Sequence, residues 1–506
     1  MKKLLCLMSL SLFLGSAAST PLDQDAQIIH VLNRLSFGPR PGDIETVKAE
    51  GIQKYIEQQL NPESIPLTDS SYNSPPASQP APQLLRELQA ARQTDKQNTT
   101  ANSTENNPDA KKKLNANVGE LYRTEAERFT TAKLDRAINS PRQLEEVMTE
   151  FWYNHFNISQ NKGIDKVLVG AYEDQAIRPF ALGRFSDIVR ATCYHPAMLF
   201  YLDNTLNTSE SKPNAKGKAS GLNENYAREL MELHTLGVDG GYSQNDVIQL
   251  AHILTGLGLN LGQRRGGSFN QFNSPIQTVG PFGAVFNSNK HDFGPKVLLG
   301  HRIEGTGEGE IEQAIDILCK SPATAHHISY QLAQYFVADK PSAELVNKLA
   351  ARFTASNGNI RAVLADLFAS PEFWSAENDK NKYKSPLRYV VSSFRAAGVE
   401  PQDFRALKQF LTAQGEPLYG CLTPDGYKNT KEAWLNPDAL LKRLNFATGM
   451  GIGRVANNRF DPPEYRRLGA TISGGVFSPN TVAVVMKQPQ QLQSAMLFGS
   501  PEFMMY

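Results

Sequence analysis

Hydrophobic residues recur at intervals of three and four through most of the chain, which is the spacing of one buried helix face. Residues 23–60 fit two helices, and a further helical pattern covers 118–138. Later helical segments are predicted at 142–156, 167–178, 183–193, 196–202, 223–236, 243–256, 309–319, 322–336, 342–354, 358–369, 385–397, 402–412, 437–448 and 487–498. Strands do not alternate regularly with helices, which argues against a doubly wound α/β fold. The pattern predicts a mainly α protein with a large multi-helical body.

The periodicity changes between residues 260 and 305. This region starts with a loop-like stretch rich in glycine and asparagine. Two short β-compatible segments follow, GAVFN at 283–287 and KVLLGHRI at 296–303. We expect them to form a small β-hairpin around 282–303, laid across the helical body.

The N-terminus has the pattern of a secretory signal peptide at residues 1–18. Lys2 and Lys3 precede a short apolar run, and small residues at Ala17 and Ala18 fit a cleavage site. The apolar run, of about 11 residues, is too short to span a bilayer. We therefore expect an exported protein, periplasmic or extracellular, without an integral membrane anchor after signal cleavage.

The rest of the chain, 19–506, is predicted to be one helical domain with an interruption at 93–117. That segment is polar and has few apolar residues, so it is predicted to be a mobile insertion.

Charge and cysteine content narrow the range of functions. The chain carries 52 basic and 51 acidic residues, for a net charge of +1. This balance gives no reason to expect a nucleic acid or an anionic membrane as partner. After the leader, Cys193, Cys319 and Cys421 remain, and an odd number cannot pair completely. One disulfide with a free thiol and three buried thiols are both compatible with the sequence.

Residues 221–256 contain the most informative local pattern, two helices separated by a glycine-rich turn. Asn223 is a candidate cap for the first helix. Ser243 and Asp246 are spaced as a capping box at the start of the second, with aspartate in place of the usual glutamate. Most polar residues here therefore have a structural explanation.

The chain resembles the bacterial exported family called domain of unknown function 1800. The resemblance rests on segments in order along the chain, of which NENYARELMELHTLGVDGGYSQNDV at 223–247 is the strongest. The others are 30–47, 150–159, 195–204, 287–300, 336–341, 358–374, 416–430 and 440–447. The resemblance implies an uncharacterised activity, so no catalytic residue carries over. It also implies a second exported protein, encoded nearby, as a partner.

Three histidines within those segments are candidate metal ligands: His155, His234 and His291, with Asp292 beside the last. Three imidazoles and a carboxylate could bind zinc, iron or copper, and neutral imidazole is also a general base near pH 7. No HExxH or HxH pair is present in the sequence, so the ligands would have to come from distant segments. The alternative is that these histidines are core residues bonded to backbone or carboxylate groups.

Four aromatic residues are candidates for a saccharide-binding groove: Trp152, Tyr153, Trp374 and Trp434. Aromatic residues at helical positions are more often part of the core. Cys421 is a candidate nucleophile, but no base adjoins it in the sequence, which favours a structural thiol.

Two functional hypotheses follow from the sequence. The first is a helical binding or assembly protein of the cell envelope or extracellular space, working with the product of a neighbouring gene. The second is a metal-assisted hydrolase or oxidase acting on extracellular or envelope polymers. In the second, His155, His234 and His291, with Asp292 or Asp239 nearby, would bind a divalent transition metal or move protons.

Overall fold

A computed structural model describes residues 22–67, 78–101, 116–209, 221–259, 276–475 and 477–506, and the predicted signal peptide lies outside this part of the chain. The prediction of a mainly α fold is confirmed. The first half contains α1 (Gln24–Leu35), α2 (Asp43–Glu50), α3 (Ile52–Leu60), α4 (Ala81–Ala101), α5 (Ala116–Asn139), α6 (Gln143–His155), α7 (Asp165–Tyr172), α8 (Phe185–Cys193), α9 (Pro196–Tyr201), α10 (Asn225–Glu232) and α11 (Gln244–Ile253). The second half contains α12 (Gly309–Lys320), α13 (Pro322–Phe336), α14 (Ala343–Ala355), α15 (Ile360–Phe368), α16 (Pro386–Ala397), α17 (Phe404–Ala413), α18 (Lys431–Trp434), α19 (Pro437–Gly451), α20 (Tyr465–Ser473), α21 (Pro479–Met486), α22 (Gln490–Phe498) and α23 (Pro501–Met504).

The region 23–60 forms three helices, one more than the apolar spacing predicts. Gly51, with φ of 93°, separates α2 from α3. This backbone conformation is one that residues with a Cβ rarely adopt, so the helix is interrupted there. The sequence pattern also missed α4, α18, α20, α21 and α23.

Among the residues that the structure describes, the strands form three small antiparallel units. β1 (Leu257–Leu259), β3 (Ala284–Asn287) and β2 (Ile276–Val279) pair in that order, with Leu257 opposite Phe286 and Val279 opposite Ala284. β4 (Lys296–Leu298) pairs with β5 (His301–Ile303), and β6 (Arg454–Val455) pairs with β7 (Asn458–Arg459).

The predicted small β-hairpin within 282–303 is confirmed, but GAVFN does not pair with KVLLGHRI. GAVFN supplies β3, which pairs with β1 and β2, whereas KVLLGHRI forms the β4–β5 hairpin by itself. Leu299 and Gly300 connect that hairpin with φ of 48° and 79°. A two-residue connection with positive φ at both positions matches the twist of the flanking strands, so the hairpin can close locally.

The segment 93–117 was predicted to be a mobile insertion. Its first part, to Ala101, continues α4, and Ala116 and Asn117 begin α5. The Asp95 carboxylate accepts hydrogen bonds from the backbone N–H groups of Asn117 and Val118. This carboxylate ties α4 to the start of α5. Residues 102–115 lie outside the described part of the chain.

One continuous buried apolar cluster extends from Val31 in α1 to Met504 in α23. The α6 helix contributes Leu144, Val147, Met148 and Trp152, all fully buried. Cys193, Cys319 and Cys421 are buried free thiols, so the second of the two cysteine alternatives is observed. In the ranges the structure describes, no helix combines the length and the apolarity needed to cross a membrane.

Candidate functional site

A cavity of about 310 Å³ opens beside α6, α13 and α16 and the segment 416–434. This volume lies at the small end of the range for ligand sites, roughly 300–1,000 Å³. The aromatic part of its wall consists of Phe37, Phe151, Tyr335, Tyr383, Tyr427, Trp434 and Tyr506. The polar part includes Glu150, Asn154, His155, Glu232, His327, Gln331, Gln334, Ser385, Arg388, Glu416, Asp425, Lys428 and Asn429.

The α6 helix brings three of these polar residues to the cavity. Its buried side packs through the apolar residues already described, which fixes the rotation of the helix about its axis. Glu150 and Asn154 are four residues apart and therefore share a face. His155, the last residue of α6, lies next to Asn154 at the cavity wall.

Glu150 forms an ion pair with a lysine that is almost completely enclosed. The Nζ atom of Lys133, on α5, lies 2.5 Å from Oε2 of Glu150 and 2.7 Å from Oε2 of Glu173. Burial alone would lower the pKa of Lys133, but these two carboxylates raise it above its ordinary value. The ammonium group is therefore charged and holds Glu150 at the cavity.

Glu173 anchors this lysine from the opposite side. It begins a π-helical turn, Glu173–Ile177, that continues α7. Its carboxylate also accepts a hydrogen bond of 3.1 Å from the Tyr419 hydroxyl and pairs with Arg178 at 3.3 Å. Burial opposes ionisation of Glu173, yet Lys133 and Arg178 hold its pKa below the ordinary value. A π-helical turn inside an α-helical region often marks a functional site.

Glu416 is in a different electrostatic environment. Its side chain is 5% exposed, and its Oε2 accepts a hydrogen bond of 2.6 Å from the backbone N–H of Leu387. Burial, with a further contribution from the negative charge of Glu150, raises the pKa of Glu416 from 4.5 to about 8. At pH 7 this carboxyl group therefore carries a proton, which it can donate to a bound molecule.

The α16 helix positions Arg388 in the same wall. Ser385 caps this helix by accepting a hydrogen bond from the Arg388 N–H, and Pro386 occupies its first turn. The guanidinium group lies over the Tyr506 ring, with its carbon 4.2 Å from the ring centroid. Arg388 is thus a buried cation at the edge of an aromatic cavity.

His155 lies close to two other imidazole rings. Its ring centroid is 6.0 Å from that of His234 and 6.3 Å from that of His327. Burial and the nearby His327 lower the pKa of His155 to about 4, so the ring is neutral at pH 7. Its Nε2 lies 3.0 Å from the backbone oxygen of His234 and, in the neutral ring, carries the proton it donates there.

His291 and Asp292 lie in a separate cluster. Nδ1 of His291 is 2.8 Å from the Thr255 backbone oxygen, and its Nε2 is 2.9 Å from the Glu310 carboxylate. Glu310 also pairs with Lys296 at 2.6 Å, while Asp292 pairs with His252 at 3.0 Å. None of these residues lines the cavity.

The structure thus brings His155 and His234 together but does not add His291 or Asp292 to them. In the part of the chain described by the structure, no group of three or more His, Cys, Asp or Glu side chains is arranged to hold a metal ion.

Of the four aromatic candidates for a saccharide-binding groove, one lines the cavity and the other three do not. Trp434 lines the cavity, with its ring centroid 5.8 Å from that of Tyr427. Trp152 is fully buried and donates to the Ala181 backbone oxygen, and Trp374 donates to that of Phe368. Cys421 is buried, with its sulfur 3.7 Å from the Thr423 backbone oxygen.

One protein-family model matches most of the chain. The family model described as "Protein of unknown function (DUF1800)" matches residues 30–505. The chain belongs to the DUF1800 family. No similar protein was found among curated proteins, and no similar solved structure was found. Apart from Tyr506, the residues that line the cavity lie within the part of the chain that the DUF1800 model covers.

Four residues of the cavity wall in this DUF1800 protein were not predicted as site residues: Glu150, His327, Arg388 and Glu416. Lys133, the ion-pair partner of Glu150, was not predicted either. Glu150 and Glu416 each open a segment that carries the family resemblance, 150–159 and 416–430. Their position at the start of these segments was the signal that could have identified them as site candidates. The sequence did not show that Glu150 and Glu416 line one cavity, because they lie in segments far apart in the chain.

Proposed function

We propose that this DUF1800 protein is a hydrolytic enzyme that uses general acid–base catalysis in the cavity. The proposal rests on one observation: two carboxyl groups line the same cavity in opposite electrostatic environments. Burial raises the pKa of Glu416 to about 8, whereas Glu150 forms an ion pair with Lys133. Pairs of carboxyl groups whose environments separate their charge states divide the roles of acid and base in many enzymes.

In the proposed reaction, Glu416 is the general acid. It transfers its proton to the leaving-group atom of the substrate as the bond to that atom breaks. A water molecule forms the new bond to the electrophilic centre and gives its proton to the Glu150 carboxylate. The proton then passes from Glu150 to solvent, and Glu416 regains one from solvent, which restores the starting state.

The remaining walls support binding of a substrate beside these two groups. Asn154 fixes the position of Tyr427, because its side chain donates to the Tyr427 backbone oxygen at 2.8 Å and accepts from its N–H at 2.7 Å. The adjacent Trp434 provides a second aromatic surface. Aromatic faces bind apolar faces of a ligand and exclude water from the reacting groups.

The test is an activity screen with matched variants. Chromogenic ester, glycoside and peptide substrates are offered to the wild-type protein, Glu150→Gln, Glu416→Gln and the exposed control Glu344→Gln. We expect turnover of one substrate class, with a loss of roughly 10²–10⁴-fold in each cavity variant and none in the control. Wild-type turnover that persists in Glu416→Gln would overturn the role of this residue.

A metal-assisted form of the same hydrolysis would use His155 and His234, the two predicted ligands that lie together. Metal analysis and thermal unfolding with zinc, iron or copper test it, in wild type and His155→Asn. A stoichiometric metal whose stabilisation disappears in His155→Asn would support this form. Equal stabilisation of both proteins would count against it.

A second candidate function is the binding of a partner, the role first predicted for an exported protein of this family. It is favoured by large apolar side chains exposed on the C-terminal helices and their flanks: Leu435, Leu440, Leu441, Leu444, Ile452, Val482, Val484, Met486 and Leu492. Exposed apolar surface of this kind commonly marks a protein interface. Co-purification with the neighbouring exported protein, lost in Leu441→Glu and Val484→Glu, would support this role. Failure of the wild-type protein to co-purify with that partner would refute the binding role.

A further inference from the structure

Arg388 has the features of an anchor for an anionic ligand. Its side chain is 4% exposed and lines the cavity. Among the described residues, no carboxylate lies within ion-pair distance of its guanidinium group; its hydrogen bonds go to two backbone oxygens and one hydroxyl. A buried arginine usually has an anionic partner, because removing its charge from water is costly.

The guanidinium group is held rigidly from one side. Its Nη1 atom donates to the backbone oxygens of Asn33 and Ser36, both at 2.8 Å. These carbonyl groups belong to the C-terminal end of α1, where the helix dipole favours a cation. The Tyr506 ring supports the planar face of the same group.

The other side of the guanidinium group retains donor capacity. Its Nη2 atom lies 3.5 Å from the Tyr335 hydroxyl, which is long for a hydrogen bond. Tyr335 also lines the cavity. Nη2 of Arg388 and the Tyr335 hydroxyl therefore lie together in the cavity wall and bind each other only weakly, so both can bind a ligand.

We propose that Arg388 and Tyr335 bind an anionic oxygen group of the substrate, a carboxylate or a phosphoryl group. This inference rests on the proposed function, since it uses the same cavity, and it specifies the substrate class as a polar molecule with one anionic group beside the cleaved bond. Nη2 of Arg388 can donate to an oxygen of this group, and a charge-assisted hydrogen bond of this kind is strong.

Within the described part of the chain, four carboxyl groups line the cavity. Asp425 pairs with Lys428 at 2.6 Å, and Glu232 accepts a hydrogen bond from the Tyr242 hydroxyl. Glu416 carries a proton at pH 7 and does not repel an anion.

Glu150 forms an ion pair with Lys133, a cation that it shares with Glu173. Arg388 has no carboxylate within ion-pair distance among the residues described, and the charge of Glu150 attracts it from farther away.

A purely structural role for Arg388, capping α1, makes a different prediction. Arg388→Lys keeps a cation near the carbonyl groups of α1 but removes the fork. Tyr335→Phe leaves both Arg388 and the α1 contacts in place and removes only the hydroxyl group. Both variants should fold, and Tyr335→Phe provides a test that does not depend on the stability of Arg388→Lys.

The experiment measures binding of inorganic phosphate and of acetate by isothermal titration calorimetry at constant ionic strength. The full chain is used as wild type, Arg388→Lys, Tyr335→Phe, Glu416→Gln and Arg361→Lys, a control whose arginine pairs with Glu63 near the surface. We expect saturable wild-type binding of at least one probe, weakened about tenfold or more in Arg388→Lys and several-fold in Tyr335→Phe. Tighter binding of phosphate would identify the anionic group of the substrate as a phosphoryl group, and tighter binding of acetate would identify it as a carboxylate.

The Glu416→Gln and Arg361→Lys proteins should bind the probes as the wild type does. Absence of saturable wild-type binding, or unchanged binding in both Arg388→Lys and Tyr335→Phe, would overturn the inference. Retained anion binding by Glu416→Gln separates the two proposals, because hydrolysis can fail through Glu416 while the anion site persists.

Discussion

The carboxyl group of Glu416 accepts a hydrogen bond of 2.6 Å from the backbone N–H of Leu387, in the first turn of α16. A helix N-terminus and a donated N–H both favour the ionised form of a carboxyl group. Burial has the larger effect and raises the pKa of Glu416 to about 8. The result is a proton donor in a fixed position at the cavity wall.

Glu416→Gln should become more stable than the wild type as the pH rises. The folded-state pKa exceeds the ordinary value of 4.5, so the stabilisation by the protonated group is complete below 4.5 and is lost as the pH rises to about 8. Glutamine does not titrate and escapes this loss, while its oxygen can still accept the Leu387 N–H. At 1.36 kcal/mol per pKa unit, the difference should reach a few kcal/mol above pH 8. Urea unfolding of both proteins between pH 4 and 9 measures it, and a pH-independent difference would contradict the assignment.

Lys133→Met should strongly destabilise the protein. The substitution leaves Glu150 and Glu173 without their shared cation, and breaking a buried ion pair from one side costs about 3–5 kcal/mol. Lys48→Met is the matched control, because Lys48 pairs with Asp25 at the exposed surface. Equal unfolding free energies for the two variants would show that Lys133 does not support the cavity.

Gly426→Ala should displace the turn that carries Tyr427. The added Cβ would lie 2.2 Å from the Asn154 backbone oxygen, and the φ of Gly426 is +66°. Gly415→Ala is the control, since Gly415 also has a positive φ of +88° but a Cβ added there would have no neighbour within 4 Å. Both variants incur backbone strain of order 1–3 kcal/mol. Only Gly426→Ala should add a steric penalty and reduce substrate turnover, and identical behaviour of the two would contradict the packing at this turn.

Glu310→Gln should destabilise the fold without removing activity. Burial opposes ionisation of Glu310, but hydrogen bonds from His291 and Lys296 hold its pKa below the ordinary value. The ionised Glu310 carboxylate therefore stabilises the folded protein above pH 4.5, and this stabilisation is lost as the pH falls through the lower folded-state pKa. At pH 7 the variant should lose about 3–5 kcal/mol, because Lys296 stays buried without its carboxylate.

Thermal unfolding at pH 7, with Glu304→Gln as an exposed control, tests the Glu310 prediction. Loss of substrate turnover in a folded Glu310→Gln protein would contradict the separation of this cluster from the cavity.

Most helices with an apolar face were predictable from the sequence, although the pattern missed α4 and α20. The capping box of Ser243 and Asp246 is confirmed, with the Asp246 N–H donating to Ser243 Oγ and the Ser243 N–H donating to Asp246 Oδ2. Asn223 differs slightly from its predicted role, because α10 begins at Asn225 and Asn223 accepts the N–H of that residue. The short helices late in the chain and the β3 pairing depend on tertiary contacts and have no clear local signal.

The cavity was less predictable than the fold. His155 was identified as a candidate and lies in the cavity wall, but the residue that faces it from α13, His327, was not. The charge states of Glu416 and Lys133 arise from burial and from neighbours distant in sequence. Periodicity reveals which face of a helix is buried, but it does not reveal which polar groups meet there.

The most direct test of the central claim is an infrared pH titration of the intact protein, with the Glu416→Gln spectrum subtracted at each pH. The subtraction isolates the carbonyl band of the protonated Glu416 carboxyl group. We predict that this band is present at pH 7 and disappears with a midpoint near pH 8. A midpoint close to 4.5, the ordinary value for glutamate, would contradict the assignment of Glu416 as the proton donor of the cavity.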